Sequence, residues 1–254
     1  GDAVGAPHRA PSTVPALAAL LVGALAVLAP AALLPQPAAA QETHVVVVAG
    51  LGGTQEYRDE FRTWTEELHA ALVEDRNVPA ERITVLTEQP DATPVAEHRS
   101  TRAELLRELG ELAGRAGPDD RIVVVLIGHG TARGDEARFN LPGPDLGPGD
   151  FAGALAAFPT QELALVHTGS ASGGFLAPLS GPGRVVVTAT RTARERNATE
   201  FPRFFVDALR GQGADLDKDG RVSLLEAFQY ASLETARNFI HYFRLTADNR
   251  IAFG

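Results

Sequence analysis

The chain has 254 residues, 44% of them hydrophobic and 22% charged, the balance of a folded globular protein rather than a disordered one. Its 32 acidic residues outnumber 23 basic ones and give a formal charge of -9, which argues against nucleic acid or anionic lipid as the main partner. With no cysteine, disulfides and thiol chemistry are excluded.

Ala16 to Leu34 is an almost unbroken apolar run, preceded by Arg9 and followed by Pro35 and Ala38-Ala39-Ala40. That order predicts a secretory signal over residues 1–40, cleaved after Ala40 and leaving no stable membrane span. The competing reading is a retained anchor, since the run is about long enough to cross a bilayer. The mature chain, 41–254, is expected in the periplasm or outside the cell.

His44 to Ala49 (HVVVVA) is a β-branched run suited to a strand buried on both faces. It ends in the loop Gly50-Leu51-Gly52-Gly53. Phe61, Trp64, Leu68, Ala71 and Leu72 then recur at helical spacing between Glu56 and Glu74. Ile83 to Leu86 predicts a second strand. Thr101 with Glu104 predicts a capping box opening a helix that carries Leu105, Leu106, Leu109 and Leu112. Arg121 to Ile127 (RIVVVLI) is the strongest strand signal, and it runs directly into Gly128-His129-Gly130.

A polar insert with Pro142, Pro144 and Pro148 leads to a helix near Phe151 to Phe158, then to strands at Leu163 to Val166 and Arg184 to Ala189. The C-terminal third reads as helix, acidic loop, helix. Alternating strands and helices call for an α/β fold, a mostly parallel sheet with helices on both faces.

Ligands of such sheets sit beyond the carboxyl ends of the strands. Two polar residues are expected there: His129 after the strongest strand, and Ser170 in Leu165-Val166-His167-Thr168-Gly169-Ser170-Ala171-Ser172-Gly173-Gly174-Phe175. An imidazole and a hydroxyl on neighbouring strand ends form a base and nucleophile pair. Read blandly, His129 is a loop histidine and Ser170 a turn residue among glycines. The nucleophile elbow G-x-S-x-G is not met, because Ala171 stands at its centre.

The order strand, Gly-His-Gly, proline-rich insert, strand, T-G-S-A-S-G-G-F resembles the caspase-haemoglobinase fold, and within it the legumain-type cysteine peptidases. The resemblance spans roughly Thr43 to Arg210. It implies a three-layer sandwich, places Ser170 at the family's cysteine and His129 at its histidine, and sets Arg58, from Glu56-Tyr57-Arg58, beside a pocket for an acidic or polar side chain. A serine in the cysteine's place lacks an easily formed anion and needs a well-oriented base.

Asp215-Leu216-Asp217-Lys218-Asp219-Gly220-Arg221-Val222-Ser223-Leu224-Leu225-Glu226 fits the calcium loop of an EF-hand. Asp215, Asp217 and Asp219 supply carboxylates, Gly220 the sharp turn, Arg221 a backbone carbonyl, Ser223 a hydroxyl or water-mediated contact, and Glu226 a bidentate carboxylate. An isolated loop of this kind predicts a structural ion rather than a sensor. Three functions follow as expectations: a peptidase homologue that binds peptide or protein in its groove without cleaving it, an active Ser-His hydrolase, or a calcium-binding interaction module of the cell envelope.

Overall fold

The computed structural model describes residues 41–246 except 135 and 212, with side chains to residue 240. The expected leader, 1–40, lies outside the described residues. Among the described residues no helix is long and apolar enough to cross a membrane.

Among the described residues eight strands form in chain order: β1 (Thr43–Ala49), β2 (Ile83–Thr87), β3 (His98–Arg99), β4 (Arg121–Ile127), β5 (Gly130–Arg133), β6 (Glu136–Phe139), β7 (Glu162–His167) and β8 (Arg184–Thr188). Six of them make one parallel sheet in the order β3-β2-β1-β4-β7-β8, and β5 and β6 make a separate antiparallel hairpin. Helices α1 (Gln55–Ala70), α2 (Arg102–Arg115), α3 (Pro148–Leu155), α4 (Gly173–Leu179), α5 (Phe201–Arg210) and α6 (Leu224–Thr246) surround the sheet. The α/β sandwich expected from the alternation of elements is the observed fold.

The buried runs become central strands because both faces of the sheet are covered. Val46 and Val48 of β1 join Leu86, Leu109, Val124, Phe151 and Phe175 in one core, while Val45 and Val47 join Phe61, Leu68, Val85, Val125, Phe205 and Ala231 in the other. Alternate residues of a strand point to opposite faces, so one valine run supplies two cores. Thr101 accepts from the Glu104 backbone N–H at 3.3 Å and caps α2 as expected. The reciprocal arm of the box does not form; the Glu104 carboxylate pairs instead with Arg107 and His98.

Three elements lie outside the sequence expectations. Part of the proline-rich insert is the β5–β6 hairpin, which begins one residue after His129 and ends where Asn140 N–H donates to His129 O at 3.0 Å. The short edge strand β3 pairs with β2 through Leu86 and Thr87. The small-residue stretch after Ser172 becomes α4. It is two turns long and carries Pro178, too short and too poor in spaced apolar residues to show a helical period.

The connections give the sheet a direction. From β1 the chain moves outward through β2 to β3, then returns to the other side of β1 and continues through β4 and β7 to β8. The order therefore reverses between β1 and β4, where loops diverge to opposite faces and leave a crevice at the carboxyl edge. His129 stands two residues beyond β4, at that reversal.

Candidate functional site

At the carboxyl edge, β1, β4 and β7 end in backbone packed too closely for side chains. A Cβ on Gly50 would lie 2.5 Å from Asn140 O, one on Gly169 2.0 Å from Gly128 O, and one on Gly130 2.2 Å from Ser170 O. These glycines bring the loops carrying His129 and Ser170 into direct contact. Adjacency of β4 and β7, with Leu126 opposite His167, delivers the two loops side by side.

His129 is half-buried. Its ring meets Tyr57 edge-on at 4.4 Å between centroids and Phe61 at 5.0 Å, so α1 fixes the imidazole by packing. Burial lowers its pKa below the ordinary histidine value, which keeps it neutral at pH 7 and able to accept a proton. Its cleft, about 190 Å³, is lined by Glu56, Tyr57, Glu60, Phe61, Trp64 and the Ala198–Pro202 stretch. No hydrogen bond links Glu56 to the imidazole among the described residues.

Ser170 is 2% exposed, and its hydroxyl is held at both ends by one residue. Oγ donates to Gly130 O at 3.0 Å and accepts from Gly130 N–H at 3.0 Å. Among the described residues no hydrogen bond joins Ser170 to His129. The loop is covered by residues 190–199: Ala171 N–H donates to Glu195 O at 2.7 Å, and Thr199 Oγ1 donates to Thr168 O at 2.6 Å. Ser172 belongs to the turn, its Oγ accepting from Thr190 N–H at 3.0 Å. Ala171 between the two serines has φ 56°, a left-handed conformation that costs a non-glycine residue on the order of 1–2 kcal/mol.

A third polar group supports this loop from below. His167 is fully buried, its ring against Phe139 and Phe175, and its Nδ1 accepts from Gly169 N–H at 3.2 Å. Burial pushes its pKa down to about 3, so it is a neutral core residue. The sequence places it at a strand end but gives no sign that it anchors the glycine before Ser170.

Arg58 lies apart from His129's cleft. It lines a small separate cavity with Gly50, Thr87 and Glu88, with its guanidinium 3.9 Å from Glu88 Oε1. Glu88 Oε2 in turn accepts from Gly52 N–H at 2.9 Å, so Arg58 braces the loop after β1.

The 215–226 loop brings its three aspartates together, with ligand oxygens within 4.8 Å of one another. Two neighbouring features shape the turn: Gly220 at φ 84° and Lys218 at φ 61°. Gly220 N–H donates to Asp215 Oδ2 at 3.0 Å, Asp219 N–H to Asp217 Oδ1 at 3.1 Å, and Arg221 N–H to Asp219 Oδ1 at 2.8 Å. Each carboxylate is thus oriented through one oxygen and keeps another. Asp215 Oδ1 is buried with no hydrogen-bond partner, a costly arrangement that a cation relieves. This cluster can hold a metal ion, as can Glu42–His44–Asp120 and His98–Glu104–Glu108. In those two groups the carboxylates already have protein partners: Arg82 on Glu42, His44 and backbone N–H groups on Asp120, and Arg107 on Glu104 and Glu108.

Glu226 stands outside the aspartate cluster. Oε1 accepts from Leu216 and Asp217 N–H, and Oε2 from the Ser223 N–H and hydroxyl, while Ser223 Oγ accepts from Glu226 N–H and caps α6. The Ser223 backbone and hydroxyl donors, followed by those of Leu216 and Asp217, hold its carboxyl at about 2, down from 4.5. A folded value below the unfolded one contributes stability above pH 4.5 that is lost as pH falls toward 2. Melting midpoints of the wild type and Glu226→Gln are therefore expected to differ at pH 6 and to draw together as pH falls toward 2. A gap independent of pH would contradict these hydrogen bonds.

The chain matches no protein-family model and no curated protein sequence.

Proposed function

We propose that the chain is an exported, legumain- or caspase-like peptidase homologue that binds peptide at the carboxyl edge of its sheet without cleaving it, stabilised by a calcium ion in the 215–226 loop. The observation that carries the non-catalytic reading is the Ser170 hydroxyl closed between the N–H and C=O of Gly130. A serine nucleophile must deliver its proton to a base as it attacks, and a peptide carbonyl is not one. The neutral imidazole of His129 opens into a different space, the cleft against α1.

An active-site serine probe decides between this reading and an active Ser-His hydrolase. No labelling of Ser170 is expected from pH 6 to pH 9. Labelling that disappears in both Ser170→Ala and His129→Ala would establish the hydrolase instead. The same Ser170→Ala variant reports the structural role of the hydroxyl. Leaving the Gly130 N–H and C=O without their partner is expected to cost about 1–2 kcal/mol in urea unfolding.

Calcium is favoured among cations because every donor in the 215–226 pattern is a hard oxygen. Asp215, Asp217 and Asp219, the Arg221 carbonyl and Ser223 would hold the ion, with Glu226 joining by exchanging hydrogen bonds it now makes. A bound calcium supplies charge neutralisation and cross-linking of the loop, not chemistry at the distant cleft. Export rests on the apolar run ending in Ala38-Ala39-Ala40; a mature N-terminus at Gln41 would support it.

A further inference from the structure

The cleft beside His129 contains an electrostatic imbalance. Glu56 and Glu60, one helical turn apart on α1, and Glu200, just before α5, line it together, and among the described residues no lysine or arginine does. Several carboxylates elsewhere pair with arginine, among them Glu88 with Arg58, Asp150 with Arg102, Glu162 with Arg121 and Glu67 with Arg210; here Glu60 is half-buried while Glu56 and Glu200 are exposed at the rim. Glu56, Glu60 and Glu200 have no ion pair and no side-chain hydrogen bond among the described residues. Burial first, and then the charges of Glu200 and Glu56, raise the pKa of Glu60, so the group would gain from a positive partner.

Three aromatic side chains, Tyr57, Phe61 and Trp64, line it as well, together with His129. Carboxylates can fork onto a planar cation and aromatic rings can stack on it, so this lining suits a guanidinium better than a hydrated metal ion. These three glutamates are also not among the groups whose oxygens approach closely enough to share an ion. The cleft's volume of about 190 Å³ exceeds what a lone ion fills and suits a side chain. Resting on the peptide-groove reading above, we infer that this cleft takes the arginine side chain of a bound peptide and seats it beside His129.

Trp64 is the sole tryptophan and lines the cleft, so its emission reports occupancy directly. Titration with Nα-acetyl-arginine amide is expected to give a saturable change that weakens with salt. The neutral isostere Nα-acetyl-citrulline amide is expected to bind at least about tenfold more weakly, a difference of roughly 1.4 kcal/mol. Glu60→Gln is expected to weaken the arginine ligand severalfold. Equal binding of the two amides, or no response to either, overturns the inference, and this comparison holds even where the glutamate variant folds poorly.

An alanine-rich hexapeptide with one central arginine, and its citrulline twin, separate the two readings. If both hexapeptides bind equally, the groove stands and the arginine inference falls. If the amide binds and neither hexapeptide does, the cation cleft stands and the peptide groove falls. Neither result depends on whether Ser170 reacts.

Discussion

Gly130→Ala is expected to destabilise the chain by about 3 kcal/mol or more, lowering the melting midpoint by roughly 6–12 °C for a domain of this size. Its Cβ would lie 2.2 Å from Ser170 O and 2.9 Å from Arg138 O, both backbone atoms. A flexible side chain can turn away from such an intrusion, but a carbonyl in a strand end moves only with its loop. Relief would separate the hairpin from the loop after β7 and draw the Ser170 hydroxyl off Gly130. Gly114→Ala is the control: Gly114 is exposed within α2, its Cβ would meet nothing within 4 Å, and the change should stabilise by up to about 1 kcal/mol. Calorimetry showing no difference between the two variants would refute the backbone crossing at Gly130.

Calcium is expected to raise the midpoint by about 5–11 °C at a concentration a hundredfold above its dissociation constant. Mass action at that ratio supplies about 2.7 kcal/mol, and each kilocalorie shifts a chain of this length by roughly 2–4 °C. Millimolar calcium followed by excess chelator reads the effect in one sample. Asp215→Asn should abolish the calcium response and, without calcium, cost little or even stabilise, because it removes a charge whose Oδ1 is buried without a partner. A midpoint indifferent to calcium and chelator would show that the cluster does not bind calcium tightly enough to matter. An equal response to magnesium would remove the assignment to calcium while leaving a cation site.

Much of the fold was legible because its strands are extreme. HVVVVA and RIVVVLI have no polar face, which only a strand covered on both sides tolerates, and they became the neighbouring centre strands β1 and β4. The hairpin was hidden because Ala132, Ala137 and Phe139 are spread among charged residues and glycine, so neither strand shows a clear period.

At the site, chain order put His129 and Ser170 after successive strands, which a doubly wound sheet can set side by side, and β4 and β7 do pair. The direction of each side chain did not. Ser170 turns to Gly130 in a loop where Ala171 adopts a left-handed conformation and which residues 190–199 cover, and neither feature leaves a mark in local composition. The resemblance implied a pocket for a polar side chain beside Arg58, but its partner Glu88, from the end of another strand, left no sign in the sequence. Glu60 and Glu200 were invisible as a pair, since 140 positions of chain separate them and only the docking of α1 beside α5 brings them to one cleft.

The two margins of the sheet are unequal. At one, β3 contributes only His98 and Arg99, so little backbone is offered there. At the other, β8 runs for five residues with Val185 52% exposed and its outer row of N–H and C=O groups unpaired by any described strand. A foreign strand would find one margin too short to grip and the other ready to extend the ladder. Among the described residues the longer open margin is therefore that of β8, and a charge or proline introduced there would blunt growth of the sheet from that side, whether by self-association at high concentration or in a misfolded state.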